Sequence, residues 1–208
     1  MTELYEAILR GDAATAKTEA QACLTAGELP QTIISERMIP AMDEAGRRFE
    51  AGTFFVPQLL IAARAMKMAL EVLAPEMSAS GTEPLGTVVV GTVQGDMHDI
   101  GKNLVASMLE GAGFRVVDLG VNVSPERFIQ ALQENQASIL GMSALLTTTM
   151  PAMRQTIQAL DAAKLREKTR VMIGGAPVTE AFANEIGADG YSDNASAAVT
   201  LARKLVGE

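Results

Sequence analysis

Hydrophobic residues are spaced differently in the two parts of the chain, and the change occurs near residue 80. In the first part they recur at helical intervals, as in the apolar face formed by Ile39, Met42, Ala45 and Phe49. An alanine-rich run ends at Gly27, a typical helix stop, and Pro57 suits the first turn of a long helix that is expected to end at Pro75. This pattern predicts a bundle of four helices over residues 1–80.

Residues 86–208 alternate between short apolar runs and amphipathic segments. The first run, TVVVGT, is typical of a strand that is buried on both faces. The alternation predicts an α/β domain with a five-stranded parallel sheet in the flavodoxin-like order 2-1-3-4-5. Ser124 is expected to cap one of its helices, with Pro125 in the first position. The polar stretch 78–86 predicts a linker, assigned to 81–85, which is a candidate hinge.

Polar and small residues follow three of the predicted strands. The segments are QGDMHDIG after strand one, SALLTTT after strand three and GGAP after strand four. In this fold, ligands bind at the carboxyl ends of the strands, where strands one and three lie side by side. We therefore expect these three loops to form one binding site, with glycines that allow a ligand to approach the backbone.

The first of these loops contains His98, the only histidine in the chain, and Asp96 two positions earlier. Residues i and i+2 of an extended segment point the same way, so Asp96 can hold one ring nitrogen and leave the other free. This arrangement is typical of a metal ligand and also of a general base. A self-contained metal site needs three or four protein ligands, so a metal at His98 requires a macrocycle such as a haem or a corrin.

Composition narrows the choice of partners and of cellular location. Aromatic residues make up 4% and tryptophan is absent, which argues against stacking on single-stranded nucleic acid. A net charge of −8 also disfavours a polyanionic partner. The N-terminus does not resemble a signal peptide, no apolar stretch is long enough to span a membrane, and Cys23 is the single cysteine. We expect a cytoplasmic protein that binds neither nucleic acid nor a membrane.

Three motifs together resemble the cobalamin-binding module of corrinoid-dependent methyltransferases. They are D-x-H-x-x-G at Asp96 to Gly101, S-x-L at Ser143 to Leu145, and G-G at Gly174 and Gly175. The segment MDEAGRRFEAGTFFVPQLLIAARAM is similar to the helical cap that precedes this module in methionine synthase and in small corrinoid proteins. The resemblance covers nearly the whole chain and is closest to free-standing corrinoid proteins of methylamine and methanol systems.

The resemblance implies a role for each matching residue. His98 would be the metal ligand, bound to cobalt in place of the cofactor's own base, with Asp96 and Thr149 behind it in the relay that performs the chemistry. The cofactor's nucleotide tail would enter the sheet edge, and Phe49 and Val56 would cover the upper face. The full cofactor-binding set is Gln94, Gly95, Asp96, Met97, His98, Asp99, Ile100, Gly101, Ser143, Leu145, Thr147, Gly174, Gly175, Ala176, Phe49 and Val56.

The function that the resemblance implies is that of a methyl carrier. Its cobalamin, isolated as methylcobalamin or hydroxocobalamin, would cycle between Co(I) and methyl-Co(III). A TIM-barrel methyltransferase needs about 250 residues, so we expect separate partners and no catalysis by this chain alone. These partners are a substrate-specific methyltransferase, a second methyltransferase to coenzyme M or tetrahydrofolate, and a reductive activase.

Four alternatives remain at this point. A cobalamin-dependent regulator would need an output element, which the sequence does not show. The cobalamin subunit of a mutase shares the histidine motif but not usually the helical cap. A phosphoacceptor receiver domain would need an aspartate after strand three, where this chain has Ser143. The last alternative is a flavodoxin-like domain without cobalamin.

Overall fold

The structure is a computed structural model that describes residues 2–80 and 84–207. The chain divides into two compact units, Met1–Pro84 with Glu110–Gly113 and Leu85–Leu109 with Phe114–Glu208. Of the predicted linker 81–85, residues 81–83 lie outside the described residues. No helix in the described ranges has the length and apolar character needed to cross a membrane.

The first unit is helical, as predicted. It contains α1 (Glu3–Arg10), α2 (Ala13–Thr25), α3 (Pro30–Ile33), a π-helical turn (Ile34–Met38), α4 (Ile39–Glu50) and α5 (Val56–Ser80). Since α3, the π-helical turn and α4 follow one another without a break, the unit has the four helical segments that the sequence predicts. Its core is formed by fully buried side chains that include Leu4, Ile8, Met38, Leu59, Met66 and Leu73.

The polar stretch 78–86 overlaps α5, which continues to Ser80 and includes residues 78–80, whereas the assigned linker 81–85 lies after this helix and stays a prediction. The sequence suggested a helix that ends at Pro75, yet Pro75 lies inside α5. A proline removes one backbone donor, but the residues after it include good helix formers, Glu76 and Met77. The helix therefore extends past the proline.

The second unit alternates strands and helices. Its elements are β1 (Thr87–Thr92), α6 (Ile100–Gly111), β2 (Arg115–Asp118), α7 (Pro125–Asn135), β3 (Ile139–Ser143), α8 (Pro151–Ala162), β4 (Arg170–Gly174), α9 (Glu180–Ile186), β5 (Gly190–Ser192) and α10 (Ala195–Val206). The five strands are parallel and lie in the order β2-β1-β3-β4-β5, which confirms the predicted topology. Ser124 caps α7 and accepts a hydrogen bond from the backbone N–H of Arg127, as expected.

The register of the sheet brings three loops to one edge. Thr92 at the end of β1 pairs with Ser143 at the end of β3, which pairs with Gly174 at the end of β4. The interior of β1 is fully covered, since Val88, Val89 and Val90 are at most 2% exposed. With its strands buried on both faces, the sheet offers its carboxyl edge as the place where functional side chains gather.

Candidate functional site

The loop that follows β1 carries His98, whose side chain is half exposed at 50%. Its ring Nδ1 lies 2.7 Å from Oδ1 of Asp96, a residue without solvent exposure. Within the described residues the imidazole forms no other hydrogen bond, so Nε2 is open. The protein thus holds one ring nitrogen of His98 and leaves the other accessible.

The carboxylate of Asp96 accepts hydrogen bonds on both oxygens. Oδ1 accepts from the backbone N–H of His98 at 3.0 Å as well as from its ring. Oδ2 accepts from the backbone N–H groups of Leu145 at 2.8 Å and Leu146 at 3.2 Å. The hydroxyl of Thr149 donates to the same oxygen at 2.7 Å. Burial pushes the pKa of this carboxyl upward, but these hydrogen bonds outweigh burial and hold the pKa well below its usual range.

This electrostatic arrangement determines the tautomer of His98. An ionised carboxylate can only accept, so Nδ1 of the neutral imidazole must be the donor. Nε2 then carries a lone pair and no proton, which is the form that binds metal ions. Thr149, Asp96 and His98 are therefore connected in the order that the sequence predicts. The methyl group of Thr149 is accommodated, since it lies 3.6 Å from where a Cβ on Gly95 would stand.

Two residues that sequence reasoning missed hold the backbone of the histidine loop. The buried hydroxyl of Thr92 donates to the carbonyl of His98 at 2.8 Å. Asn122, in the loop after β2, accepts from the N–H of Gly95 with its side-chain oxygen at 2.8 Å and donates its own N–H to the carbonyl of Asp96 at 2.9 Å. The signal that could have pointed to Asn122 is its residue type, because asparagine is enriched at left-handed positions and its φ is 53°.

An ion pair between a buried lysine and an exposed aspartate lies just after the histidine loop and was also missed. Lys102, which is 4% exposed, places Nζ 2.7 and 2.5 Å from the two carboxylate oxygens of Asp118. Asn103 accepts from the same ammonium at 2.6 Å, and Asp118 also accepts from the N–H of Gly120 at 2.8 Å. The ion pair joins the start of α6 to the end of β2.

The loop after β3 contributes both backbone and side chains to the same edge. Ser143 is half-buried at the end of its strand, next to Thr92 and Gly174 in register. Leu145 turns its N–H towards the Asp96 carboxylate and exposes its side chain. Thr147, also predicted to bind, is exposed.

The two glycines after β4 were predicted to make room for a ligand, and packing within the protein gives a separate reason for glycine. A Cβ on Gly174 would lie 2.9 Å from the carbonyl oxygen of Ser192. A Cβ on Gly175 would lie 1.9 Å from the carbonyl oxygen of Ala144, and φ at this residue is 128°. Ala176 follows them and is exposed.

Exposed apolar side chains lie close in sequence to His98 and to the backbone groups that bind Asp96. In the described part of the α/β unit, all exposed large hydrophobic side chains belong to the segment from the histidine loop to the first residue of α6 or to the loop after β3, and they are Met97, Ile100, Leu145 and Leu146. A Cβ on Gly101 would meet nothing within 4 Å, so the backbone is open to a close neighbour. Gln94 and Asp99 are exposed in the same loop. This surface fits a flat, largely apolar macrocycle whose central metal binds Nε2.

The protein offers no competing set of ligands in the described ranges. Among residues 2–80 and 84–207, no group of three or more His, Cys, Asp or Glu side chains is arranged to hold a metal ion. A metal at His98 must therefore take its other ligands from a bound molecule, which again fits a macrocycle.

The helical unit contains the two remaining predicted site residues. Phe49 is half-buried in α4, and Val56 is the first residue of α5 and is 37% exposed. The exposed large hydrophobic residues near Val56 are Phe55, Leu60 and Ile61. The role of Phe49 and Val56 above a cofactor stays a prediction.

Known proteins share both parts of this chain. Residues 86–200 match a family described as "B12 binding domain", and residues 1–74 match a second family with the same description. Over 184 residues the chain is 47% identical to dimethylamine corrinoid protein 1 of Methanosarcina acetivorans, covering 86% of this chain and 85% of that protein.

Two solved structures resemble the chain along nearly its whole length. A cobalamin-binding protein from Desulfitobacterium hafniense DCB-2 has a TM-score of 0.83 and 32% identity, covering 98% of this chain and 97% of that chain. The methanol:cobalamin methyltransferase complex MtaBC from Methanosarcina barkeri has a TM-score of 0.85 and 30% identity, covering 98% of this chain and 78% of that chain.

Proposed function

Since this chain belongs to the corrinoid proteins built from B12 binding domains, we propose that it carries methyl groups taken from a methylated amine. The observation that carries the proposal is the open Nε2 of His98, an imidazole whose Nδ1 is held by an ionised Asp96, together with exposed apolar side chains in the neighbouring segments. The identity to a dimethylamine corrinoid protein supports a methylated amine as the donor class.

When bound, the corrinoid supplies a cobalt centre that accepts a methyl group and gives it up again. His98 would bind the cobalt through Nε2, on the side that faces the α/β unit. Asp96 would keep the imidazole oriented, and Thr149 would keep Asp96 in place through its hydroxyl. Because the hydrogen bonds to Asp96 hold its pKa well below the usual range, its carboxylate would stay ionised and would keep accepting from Nδ1–H of His98.

The edge residues that follow β3 and β4 would receive the polar tail of the cofactor. Ser143, Leu145 and Thr147 lie on one side of this region, and the backbone at Gly174 and Gly175 lies on the next strand. Residues Gln94 to Gly101 would contribute contacts to the corrin around His98. The exposure of Met97 and Ile100 supports this arrangement, since apolar side chains gain by contact with a macrocycle.

A carrier needs other proteins to load and unload it. The likeness to the chain in a methanol:cobalamin methyltransferase complex supports a partner methyltransferase. We extend the proposal to a second methyltransferase, acting on coenzyme M or tetrahydrofolate, and to a reductive activase, with the chain itself not catalytic alone. We also propose a cytoplasmic location, because the one cysteine, Cys23, is a free thiol and needs no oxidising compartment.

The proposal is tested by following a labelled methyl group. The chain is reconstituted with hydroxocobalamin, reduced, and incubated with deuterated dimethylamine and a dimethylamine methyltransferase of Methanosarcina. We expect mass spectrometry to find the label on the cofactor bound to the chain, and to find none when the methyltransferase is omitted. A chain that takes up cobalamin but receives no label from mono-, di- or trimethylamine contradicts the proposed donor class. A chain that takes up no cobalamin contradicts the carrier function itself.

A further inference from the structure

We infer that Asn122 is a positioning residue for His98: it holds the Gly95–Asp96 peptide and thereby fixes the direction in which the imidazole points. The inference rests on the proposed function, because it concerns how His98 is presented to a corrinoid. Asn122 belongs to the loop between β2 and α7, to which sequence reasoning assigned no role.

The two contacts of Asn122 lie on either side of the Gly95–Asp96 peptide, on the N–H of Gly95 and the carbonyl of Asp96. Its side-chain Oδ1 accepts from the N–H of Gly95 at 2.8 Å, and its backbone N–H donates to the carbonyl of Asp96 at 2.9 Å. The side chain of Asp96 in turn bonds the ring of His98. Asn122 therefore acts on the imidazole through Asp96 and does not touch the ring.

The histidine loop needs such a contact because of its glycine. Gly95 has φ of 85° and is exposed, and glycine populates positive and negative φ about equally. The N–H of Asp96 donates to the carbonyl of Val93 at 3.1 Å, but if the N–H of Gly95 were free, rotation at Gly95 would loosen the backbone that carries the Asp96 carboxylate. The two hydrogen bonds from Asn122 favour the one conformation in which Asp96 reaches the ring.

The backbone of Asn122 fits this task. Its φ is 53°, in the left-handed region that asparagine tolerates better than most residues. The neighbouring Val123 forms a bridge with Val93 at the end of β1, so the loop is placed beside the histidine loop independently of the asparagine side chain. The side-chain oxygen of Asn122 thus has one identifiable task, which is to accept from Gly95.

The same loop is also anchored beyond His98. Asp118, at the end of β2, holds the ammonium of Lys102 in the first turn of α6. The histidine loop is therefore held at Gly95 by the loop after β2, and α6, which follows it, is held at Lys102 by the end of β2. Of these two ties, that of Asn122 is closer to Asp96 and His98.

The test uses Asn122→Gly, which keeps the left-handed backbone and the N–H to Asp96 and removes the acceptor for Gly95. A matched control is Gln136→Gly, which makes the same kind of change at φ of 50° at the end of α7. Asn122→Asp is the conservative variant, since it keeps an acceptor oxygen. All proteins are first studied without cofactor, labelled with 15N, and checked for equal thermal unfolding.

Two measurements report on the loop without cofactor. Hydrogen exchange at the Gly95 amide is expected to be about 5-fold faster in Asn122→Gly, as for one lost hydrogen bond. The ring nitrogens of His98, the chain's only histidine, are expected to move towards each other in chemical shift as the second tautomer is populated. Gln136→Gly and Asn122→Asp should match the unaltered protein in both measurements.

After loading with cobalamin, the ratio of histidine-bound to histidine-free Co(II), read by EPR, is expected to fall by about the same 5-fold in Asn122→Gly. Equal Gly95 exchange and equal ring shifts in Asn122→Gly and Gln136→Gly would overturn the inference. If the unaltered protein takes up no cobalamin, the proposed function fails, while the measurements without cofactor still decide the role of Asn122.

Discussion

Replacing Thr149 with valine is the simplest test of the hydrogen bonds that connect Thr149, Asp96 and His98. The substitution keeps the shape of the side chain and removes the hydroxyl that donates to Asp96 Oδ2 at 2.7 Å. A hydrogen bond to a charged group contributes about 1.5–3 kcal/mol. Thr149 is 8% exposed, so water cannot readily replace the lost donor. We expect Thr149→Val to lower the free energy of unfolding of the cofactor-free protein by about 2 kcal/mol.

The loss of stability caused by Thr149→Val should be larger at neutral pH than at acidic pH. The folded-state pKa of Asp96 is depressed, so the stability that its ionisation contributes is present above the unfolded pKa of about 3.9 and is lost as the pH falls through the folded value. Thr149→Val raises the folded pKa towards the ordinary value. Its destabilisation is therefore complete at about pH 7 and shrinks as the pH falls below about 4.

The assay is denaturant unfolding followed by circular dichroism, since the chain has no tryptophan. Thr156→Val is the matched control, because Thr156 is fully buried and its hydroxyl donates to a neutral carbonyl, that of Ala152, at 2.9 Å. We expect Thr156→Val to lower the free energy of unfolding by about 1 kcal/mol or less, independently of pH. The reasoning is refuted if Thr149→Val costs no more than Thr156→Val, or if its cost does not change with pH.

Three further predictions concern the surroundings of the site. Gly175→Ala should lower the free energy of unfolding by about 3 kcal/mol or more, measured by thermal unfolding, because the new Cβ meets a backbone carbonyl. Gly187→Ala, at a φ of 77° with open space around the new Cβ, should lower it by about 1 kcal/mol. Equal losses of stability would contradict the packing argument. Asp118→Asn should lower the free energy of unfolding by about 3 kcal/mol and Lys102→Met by less, because only the first change leaves a buried ammonium without its charged partner. Denaturant unfolding that gives the reverse order would contradict this prediction. Gly101→Ala should raise the free energy of unfolding of the cofactor-free protein by about 0.5–1 kcal/mol, because glycine is unfavourable inside a helix. The same change should weaken cobalamin uptake, measured by visible absorption. Unchanged uptake would show that no cofactor approaches this glycine.

The sheet was predictable because its signals are local. The run TVVVGT has the composition of a strand buried on both faces, and the strand order follows from regular alternation with helices. The same reasoning placed the segments that begin at Gln94, Ser143 and Gly174 at one edge, and the register shows Ser143 and Gly174 side by side there. The contact between Asp96 and His98 was accessible for the same reason, since a single residue separates them along the chain.

Two of the contacts that sequence reasoning missed join residues that are far apart in the chain. Asn122 meets Gly95 from 27 positions away, and Lys102 meets Asp118 from 16 positions away. Neither contact has a local pattern, because each depends on β2 lying beside β1. The extension of α5 past Pro75 was missed for another reason, since the proline is a stop signal that the surrounding helix formers override.

The central claim is that the imidazole of His98 binds the cobalt of a corrinoid. Exchanging 14N for 15N in this imidazole tests the claim directly, because the two isotopes differ in nuclear spin. His98 is the only histidine, so growth with 15N-histidine labels a single imidazole in the chain. The protein is loaded with unlabelled cobalamin and reduced to Co(II) for EPR. An axial nitrogen splits the cobalt lines into triplets when it is 14N and into doublets when it is 15N. The account predicts triplets from unlabelled protein and doublets from labelled protein; triplets in both, or no nitrogen splitting in either, would contradict it.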